Sequence, residues 1–283
     1  MLEIINKKCD LLQIRSALPD LVGLVPTMGN LHAGHLTLLE KALKECHFVF
    51  ITIFVNPKQF GPQEDFNKYP RTLDNDIAQI KELTRLYQDK ATYLFAPSSP
   101  DEVFDSSDFF VNVTPYDQIL EGAMRPGHFK GVATVVYELF RLIKPQKAYF
   151  GLKDFQQVVV IKEMVKNLVL PIQVIPVETI RDSNGLALSS RNQYLDINEK
   201  KQALILRKTL LHILEILNNS LQNIAKAREY ILQTTKDSTW NYLEIRDYEN
   251  LSQDISQSKK LVILGVYQIN TTRLLDNITM DVS

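Results

Sequence analysis

The sequence predicts an α/β fold: a Rossmann-like parallel sheet with helices on both faces, followed by a smaller C-terminal α+β domain. Three observations carry this. Over the first two-thirds of the chain, short apolar runs rich in β-branched residues alternate with helix-like segments. The runs are apolar throughout, as strands buried on both faces require. After about residue 178 the alternation stops, and two helical patterns precede two strand-like ones. The predicted division is therefore residues 1–178 and residues 179–283.

Strands are expected at Leu21–Val25, Phe48–Val55, Thr92–Ala96, Ala148–Phe150 and Ile172–Pro176. Between them, Leu36–Lys44, Leu73–Tyr87, Val132–Ile143 and Phe155–Asn167 read as helices. Beyond residue 178, Arg181–Arg191 reads as a polar turn around Asn184-Gly185. Asn198–Asn218 and Leu221–Thr234 follow as helices, and Trp240–Tyr248 and Leu261–Thr271 as strands of a small sheet. No internal repeat or low-complexity tract interrupts this order.

A chain of 283 residues can bury one large core and a smaller one. A hydrophobic content of 45% and a charged content of 23% are ordinary for a soluble globular protein. The formal net charge of −1 argues against non-specific nucleic-acid binding, which wants a basic surplus. Cys9 and Cys46 lack metal-ligand spacing and read as reduced thiols, Cys46 as a small core hydrophobe. There is no basic segment leading into an apolar one at the N-terminus, and no apolar run of membrane length. A cytoplasmic protein with neither nucleic acid nor membrane as partner is expected.

The most informative segment is Pro26-Thr27-Met28-Gly29-Asn30-Leu31-His32-Ala33-Gly34-His35, set between a predicted strand and a predicted helix. Ligands of open α/β sheets bind beyond the carboxyl ends of the strands. Backbone N–H groups and the helix dipole there favour an anion, and two imidazoles can donate to phosphate oxygens. A surface turn that happens to hold histidines is the plainer reading, but two of only five histidines fall in it.

Three more segments sit at predicted strand ends or turns. Asn56-Pro57-Lys58-Gln59-Phe60-Gly61 offers two side-chain amides, although Asn-Pro also starts ordinary turns. Gly151-Leu152-Lys153-Asp154-Phe155-Gln156-Gln157 puts a cation at a helix start, where the dipole disfavours it unless phosphate is the partner. Asp154 serves equally well as an N-cap acid. Ser189-Ser190-Arg191 groups two hydroxyls and a permanent cation, suited to a polyphosphate or to a solvated hairpin. Finally, Glu121–Phe129 is a Gly- and Pro-punctuated loop and a candidate lid, in which Arg125 is either a carboxylate or phosphate holder or a structural arginine.

His-x-Gly-His after a first strand resembles the signature of the nucleotidyl-transferring, adenylate-forming superfamily. The longer segment Pro26–His35 is similar to that of the pantoate–β-alanine ligase (pantothenate synthetase) family. Asn-Pro-x-Gln-Phe, Arg-Pro-Gly-His-Phe, Gly-x-Lys-Asp-x-Gln-Gln and Ser-Ser-Arg resemble further family segments, in order, between Leu21 and Asn192. The resemblance implies ATP-dependent joining of pantoate and β-alanine through a pantoyl-adenylate, with Mg²⁺ and as a homodimer. The part up to residue 178 would then bind nucleotide and pantoate.

Residue by residue, the resemblance implies ATP contacts at Met28, Gly29, Asn30, Leu31, His32, Ala33, Gly34, His35, Gly151, Leu152, Lys153, Asp154, Ile180, Leu188, Ser189, Ser190 and Arg191. It implies catalytic roles for His35, a proton donor, and for His32, Lys153, Ser189, Ser190 and Arg191. Pantoate is implied at Gln59 and Gln157, with Asn56 and Arg125 as further substrate contacts. Where the family often carries two adjacent acids this chain has Asn75-Asp76, so Asp76 is the one candidate metal ligand. Leu188 stands where the family often has Met.

Two other classes share some of these features. A coenzyme adenylyltransferase would share the histidine turn but lack the glutamine pair. A non-catalytic ATP-binding module would bind ATP without releasing pyrophosphate. A tRNA synthetase fragment is disfavoured by the absent basic surplus.

Overall fold

The computed structural model describes every residue except Met1, Asp20, Gln63, Asp65, Ser107, Asn219 and Ser283. The chain forms two compact units, Met1–Leu152 with Gln156–Glu178, and Lys153–Phe155 with Thr179–Ser283.

In the first unit, β1 (Leu2–Ile5), α1 (Lys8–Ala17), β2 (Val22–Thr27), α2 (Ala33–Glu45), β3 (Phe48–Ile53), α3 (Leu73–Thr84) and β4 (Ala91–Phe95) come first. They are followed by α4 (Leu120–Met124), α5 (His128–Ile143), β5 (Lys147–Gly151), α6 (Phe155–Asn167) and β6 (Gln173–Val177). The six strands form one parallel sheet in the order β1-β4-β3-β2-β5-β6. The predicted parallel α/β sheet is therefore present. β1 and α1, absent from the sequence reading, add a strand at its edge.

The direction of winding reverses between β2 and β5, which are neighbours through Gly23–Lys147 and Leu24–Ala148. A crevice opens at such a switch point, beyond the carboxyl ends of the two strands. The histidine turn follows β2, and Gly151 closes β5, so both motif-bearing ends lie at this point. Val22, Leu24, Val25, Val49, Phe50 and Ile51 are completely buried, as doubly covered strands must be. On one face α2 supplies Leu38, Leu39, Ala42 and Leu43 to a core shared with Val25, Val49, Ile51, Leu94 and Tyr149. Cys46 lies in that core, and burial pushes its thiol up, so it behaves as a small hydrophobe. At roughly 25 cal/mol per Å² of apolar surface, burial of this kind is the main favourable contribution to the fold.

The second unit holds α7 (Ile197–Leu217) and α8 (Ile224–Thr234). An antiparallel sheet follows, made of β7 (Trp240–Asp247), β8 (Lys260–Ile269) and β9 (Thr272–Asp281), in that order. The predicted α+β organisation is present, with β9 as an added strand. α7 begins with a capping box in which Asp196 accepts from Asn198 and Glu199 while Glu199 accepts from Asp196 N–H. Its buried stripe, Ala203, Leu206, Leu210, Ile213 and Leu217, repeats at helical spacing and packs on the sheet through Leu243, Leu261 and Ile263.

Candidate active site

The turn between β2 and α2 is fixed from several directions. Gly29 has φ +83° and Asn30 φ +50°, a left-handed pair that glycine and asparagine adopt at least cost. Asp76, fully buried in the first turn of α3, accepts from Leu31 N at 2.8 Å through Oδ1. Its Oδ2 accepts from Asn30 N at 2.9 Å and from Thr72 Oγ1 at 3.2 Å. Asp76 is thus a brace for the histidine turn, with both oxygens occupied by N–H and O–H donors.

The two histidines cap α2. His32 Nδ1 accepts from Gly34 N at 3.1 Å, and His35 Nδ1 accepts from His32 N at 3.3 Å. An Nδ1 that accepts cannot carry the proton of a neutral ring, so each neutral imidazole is the Nε2–H tautomer. The rings lie 4.1 Å apart between centroids. A Cβ on Gly34 would stand 2.9 Å from His32 Cε1, so the ring position requires glycine there.

One expectation changes. The backbone N–H groups of Gly29, Asn30, Leu31, His32 and Gly34 all bond within the protein. These five N–H groups are therefore not the open backbone cradle that the sequence suggested. The reason is tertiary: Asp76 and the two rings claim the N–H groups first.

After β3, a short 3₁₀ turn, Pro57–Gln59, carries the amides. Gln59 is buried. Its Nε2 donates to Met28 Sδ at 2.9 Å and its Oε1 accepts from Asn56 Nδ2 at 3.0 Å. A thioether is a weak acceptor, so that N–H is available to a stronger one. Asn56 is only 1% exposed; it also donates to Gly131 O at 3.1 Å and accepts from Lys58 N at 3.1 Å. Both of its N–H donors are used internally. Gln157, half-buried in the first turn of α6, makes no side-chain hydrogen bond among the described residues.

Arg125 is held by its own chain. Its Nε and Nη2 each lie 2.7 Å from a Glu64 carboxylate oxygen, and Nη1 lies 2.9 Å from His128 Nε2. The guanidinium is engaged on both edges by this chain. Nor is Glu121–Phe129 a free flap. Glu121, His128 and Phe129 are buried, and a Cβ on Gly122 would overlap Tyr116 O. Gln156 ties this segment down, accepting from Glu121 N and donating to Tyr116 O and Ile119 O. This buried anchor, like His128 and Glu64, went unread in the sequence: a lone polar residue carries no periodic signal.

In the second unit, the Ser-Ser-Arg segment follows a hairpin in which Arg181 bridges Ala187 and Leu188 N donates to Ile180 O at 2.9 Å. Ser189 Oγ accepts from Arg191 N and caps the 3₁₀ turn Ser190–Tyr194. Arg181 forms a two-pronged pair with Asp276 at 2.6 and 2.8 Å, and Asn277 donates to Lys153 O at 3.0 Å. The Lys153 ammonium, mostly buried, lies 3.5 Å from the exposed carboxylate of Asp154. Lys153, Ser189, Asn192, Arg207 and Arg273 line one small open depression together with Asp276. Gly151 closes β5 in the first unit, and Leu152 follows it at the start of a 3₁₀ turn.

Comparison with known proteins agrees with this arrangement. Residues 3–279 match the family model described as pantoate-beta-alanine ligase. A pantothenate synthetase of Rhizobium etli is 44% identical over 260 residues, covering 90% of this chain and 85% of the relative. One from Acetivibrio thermocellus is 39% identical over 286 residues, covering 100% and 99%. The crystal structure of a Thermus thermophilus pantothenate synthetase superposes with a TM-score of 0.86 at 39% identity, covering 98% and 99%. That of a Francisella tularensis pantoate-beta-alanine ligase, complexed with beta-gamma ATP and beta-alanine, gives 0.74 at 32% identity, covering 98% and 97%. Matches that run the length of both partners, in sequence and in fold, place this chain in the pantoate-beta-alanine ligase family.

Proposed function

We propose that the chain condenses pantoate with β-alanine at the expense of ATP, through a pantoyl-adenylate, releasing AMP and pyrophosphate. In the first step a pantoate carboxylate oxygen attacks the α-phosphorus and the bond to pyrophosphate breaks. In the second, the β-alanine amine attacks the activated carbonyl, loses a proton, and the C–O bond to AMP breaks. A carboxylate is a poor acylating agent, and adenylation gives it a good leaving group. The protein's contribution is positioning and stabilisation of phosphate charge.

The observation that carries this reading is the histidine turn. His32 and His35 are held by Nδ1, so that Nε2 is the donor nitrogen of each neutral ring. Those Nε2–H groups, His35 foremost, stabilise charge building on the transferred phosphate. Lys153, Ser189, Ser190 and Arg191 hold the leaving phosphates. Gln59 and Gln157 orient pantoate by their amides, the first with an N–H now resting on sulfur and the second unpaired. Met28, Gly29, Asn30, Leu31, Ala33, Gly34, Gly151, Leu152, Asp154, Ile180 and Leu188 shape the nucleotide subsite around them.

No group of three or more His, Cys, Asp or Glu that would hold a metal occurs among the described residues, and the oxygens of Asp76 are taken. Mg²⁺ enters as part of the ATP substrate, held mainly by phosphates and water, so few protein ligands are required. Residues 1–178 form the nucleotide- and pantoate-binding domain, and 179–283 the second domain. The same reading includes a homodimer working in the cytoplasm. No described helix is long and apolar enough to cross a membrane.

The test uses pantoate labelled with oxygen-18 in its carboxylate. One labelled oxygen should appear in AMP after β-alanine is added. Unlabelled AMP, or an adenylylated protein that forms without pantoate and then reacts, would overturn the mechanism.

A further inference from the structure

Four residues, two of them buried and two partly buried, form a relay that ends on the backbone of Gln59. His128 opens α5 and is only 9% exposed. Its Nδ1 lies 2.9 Å from Gln59 O and its Nε2 lies 2.9 Å from Arg125 Nη1. A guanidinium only donates, so Nε2 is the acceptor and the proton of the neutral ring sits on Nδ1. His128 therefore donates to the Gln59 carbonyl. Arg125 is held in turn by both oxygens of Glu64 at 2.7 Å. Burial pushes the Glu64 carboxyl up, but the Arg125 guanidinium outweighs this and holds it below its ordinary value. The pair is thus charged throughout the neutral range.

The relay acts where the amide turn meets α5. A Cβ on Gly131 would overlap Lys58 O and Gln59 N, so the helix and the turn are in backbone contact. Asn56 holds the Gln59 side-chain oxygen. Between them, His128 and Asn56 fix where Gln59 Nε2 points. We infer that His128, set by Arg125 and Glu64, is a positioning residue that aims the Gln59 amide at the organic-acid substrate. The inference rests on the reading that Gln59 binds pantoate. The ring nitrogens of His128 are committed to Gln59 and Arg125, so its action is through Gln59.

Steady-state kinetics on the full chain, with pantoate and ATP varied in turn, test this. His128→Phe should raise the KM for pantoate about tenfold, the scale of one lost buried hydrogen bond, and leave the KM for ATP within about twofold. His128→Asn, whose amide N–H can occupy the place of Nδ1–H, should recover most of the loss. An unchanged pantoate KM in a folded His128→Phe enzyme, an equal rise for both substrates, or no recovery with asparagine would overturn the proposal. Should His128→Phe not fold, Glu64→Gln decides. A rise of about twofold to fivefold for pantoate alone supports the relay, and none overturns it. Gln59→Ala run alongside separates the two levels. If it leaves the pantoate KM unchanged, the reading of Gln59 fails; if it raises that KM while the relay variants do not, only the relay fails.

Discussion

Two turns of this protein are each closed by an aspartate that accepts two backbone N–H groups, and they differ in where the aspartate comes from. Asp76 reaches the histidine turn from 45 and 46 residues away and is fully buried. Asp182 closes the hairpin before Ser189 from two and four residues away, accepting from Asn184 N and Leu186 N at 2.8 and 2.9 Å, and is only partly buried. The first turn thus takes its shape only when α3 is packed beside it. The second is an Asx-type turn that its own sequence closes, with Gly185 at φ +93°. Long-range closure costs more chain entropy but makes the shape depend on the whole core. That suits groups that must be in place before the chemistry begins.

The largest effect should come from removing a ring without removing the brace. His35→Ala deletes the donor proposed to act on the phosphate and one capping acceptor, while Asp76 still holds Asn30 and Leu31. Adenylation should fall by about 10²–10³-fold, the usual loss for a donor that stabilises transition-state charge. The melting temperature should move little. Pyrophosphate release from ATP and pantoate measures the first, and calorimetry the second. Near-normal release would take His35 out of the mechanism.

Asp76→Asn attacks the brace and leaves the rings. One amide oxygen can still accept, but the NH₂ must face a backbone N–H that has no other acceptor. A buried donor left unsatisfied in this way costs about 1–3 kcal/mol. Stability should drop by that order, with activity falling alongside as the turn loosens. This variant also separates bracing from metal binding. A lost metal ligand would be offset by excess Mg²⁺, whereas a lost brace would not, and no recovery across a magnesium titration is expected.

The same contrast explains what was legible in the sequence. β2 and β3 were readable because strands buried on both faces must be apolar throughout, and α7 because its buried stripe repeats at helical spacing. β1 is four residues long with a single buried side chain, too short to show a period. β9 carries Asp276 and Asn277, which look like loop residues. They are buried because Arg181 and the Lys153 carbonyl, 95 and 124 positions away, receive them. α5 starts four residues before its apolar pattern does, at a left-handed Gly127 that reads as a loop. The site followed the same rule. The histidines, Gln59, Lys153 and Ser189 stood out by residue type and place. Asp76, Asn56 and Arg125 also have the chemistry of ligand-binding groups, but their bracing bonds to Asn30, Leu31, Gly131 and Glu64 depend on remote partners that no local pattern displays.

The smallest effect should come from the local turn. Asp182→Asn keeps an acceptor oxygen at the same position, and asparagine forms the same Asx turn with Asn184 N and Leu186 N. Its cost should lie within about 0.5 kcal/mol, the range of ordinary surface changes. Asp182→Ala removes the acceptor, but Asn184 N is exposed to water, and the Arg181–Ala187 bridge with the Leu188–Ile180 bond still holds the hairpin. A loss of about 1 kcal/mol is expected, comparable to deleting a helix cap. Urea unfolding of Asp182→Asn, Asp182→Ala and Asp76→Asn side by side measures the contrast directly. If Asp182→Asn costs as much as Asp76→Asn, then the origin of the aspartate in the chain does not matter, and the hairpin is held by tertiary structure as firmly as the histidine turn.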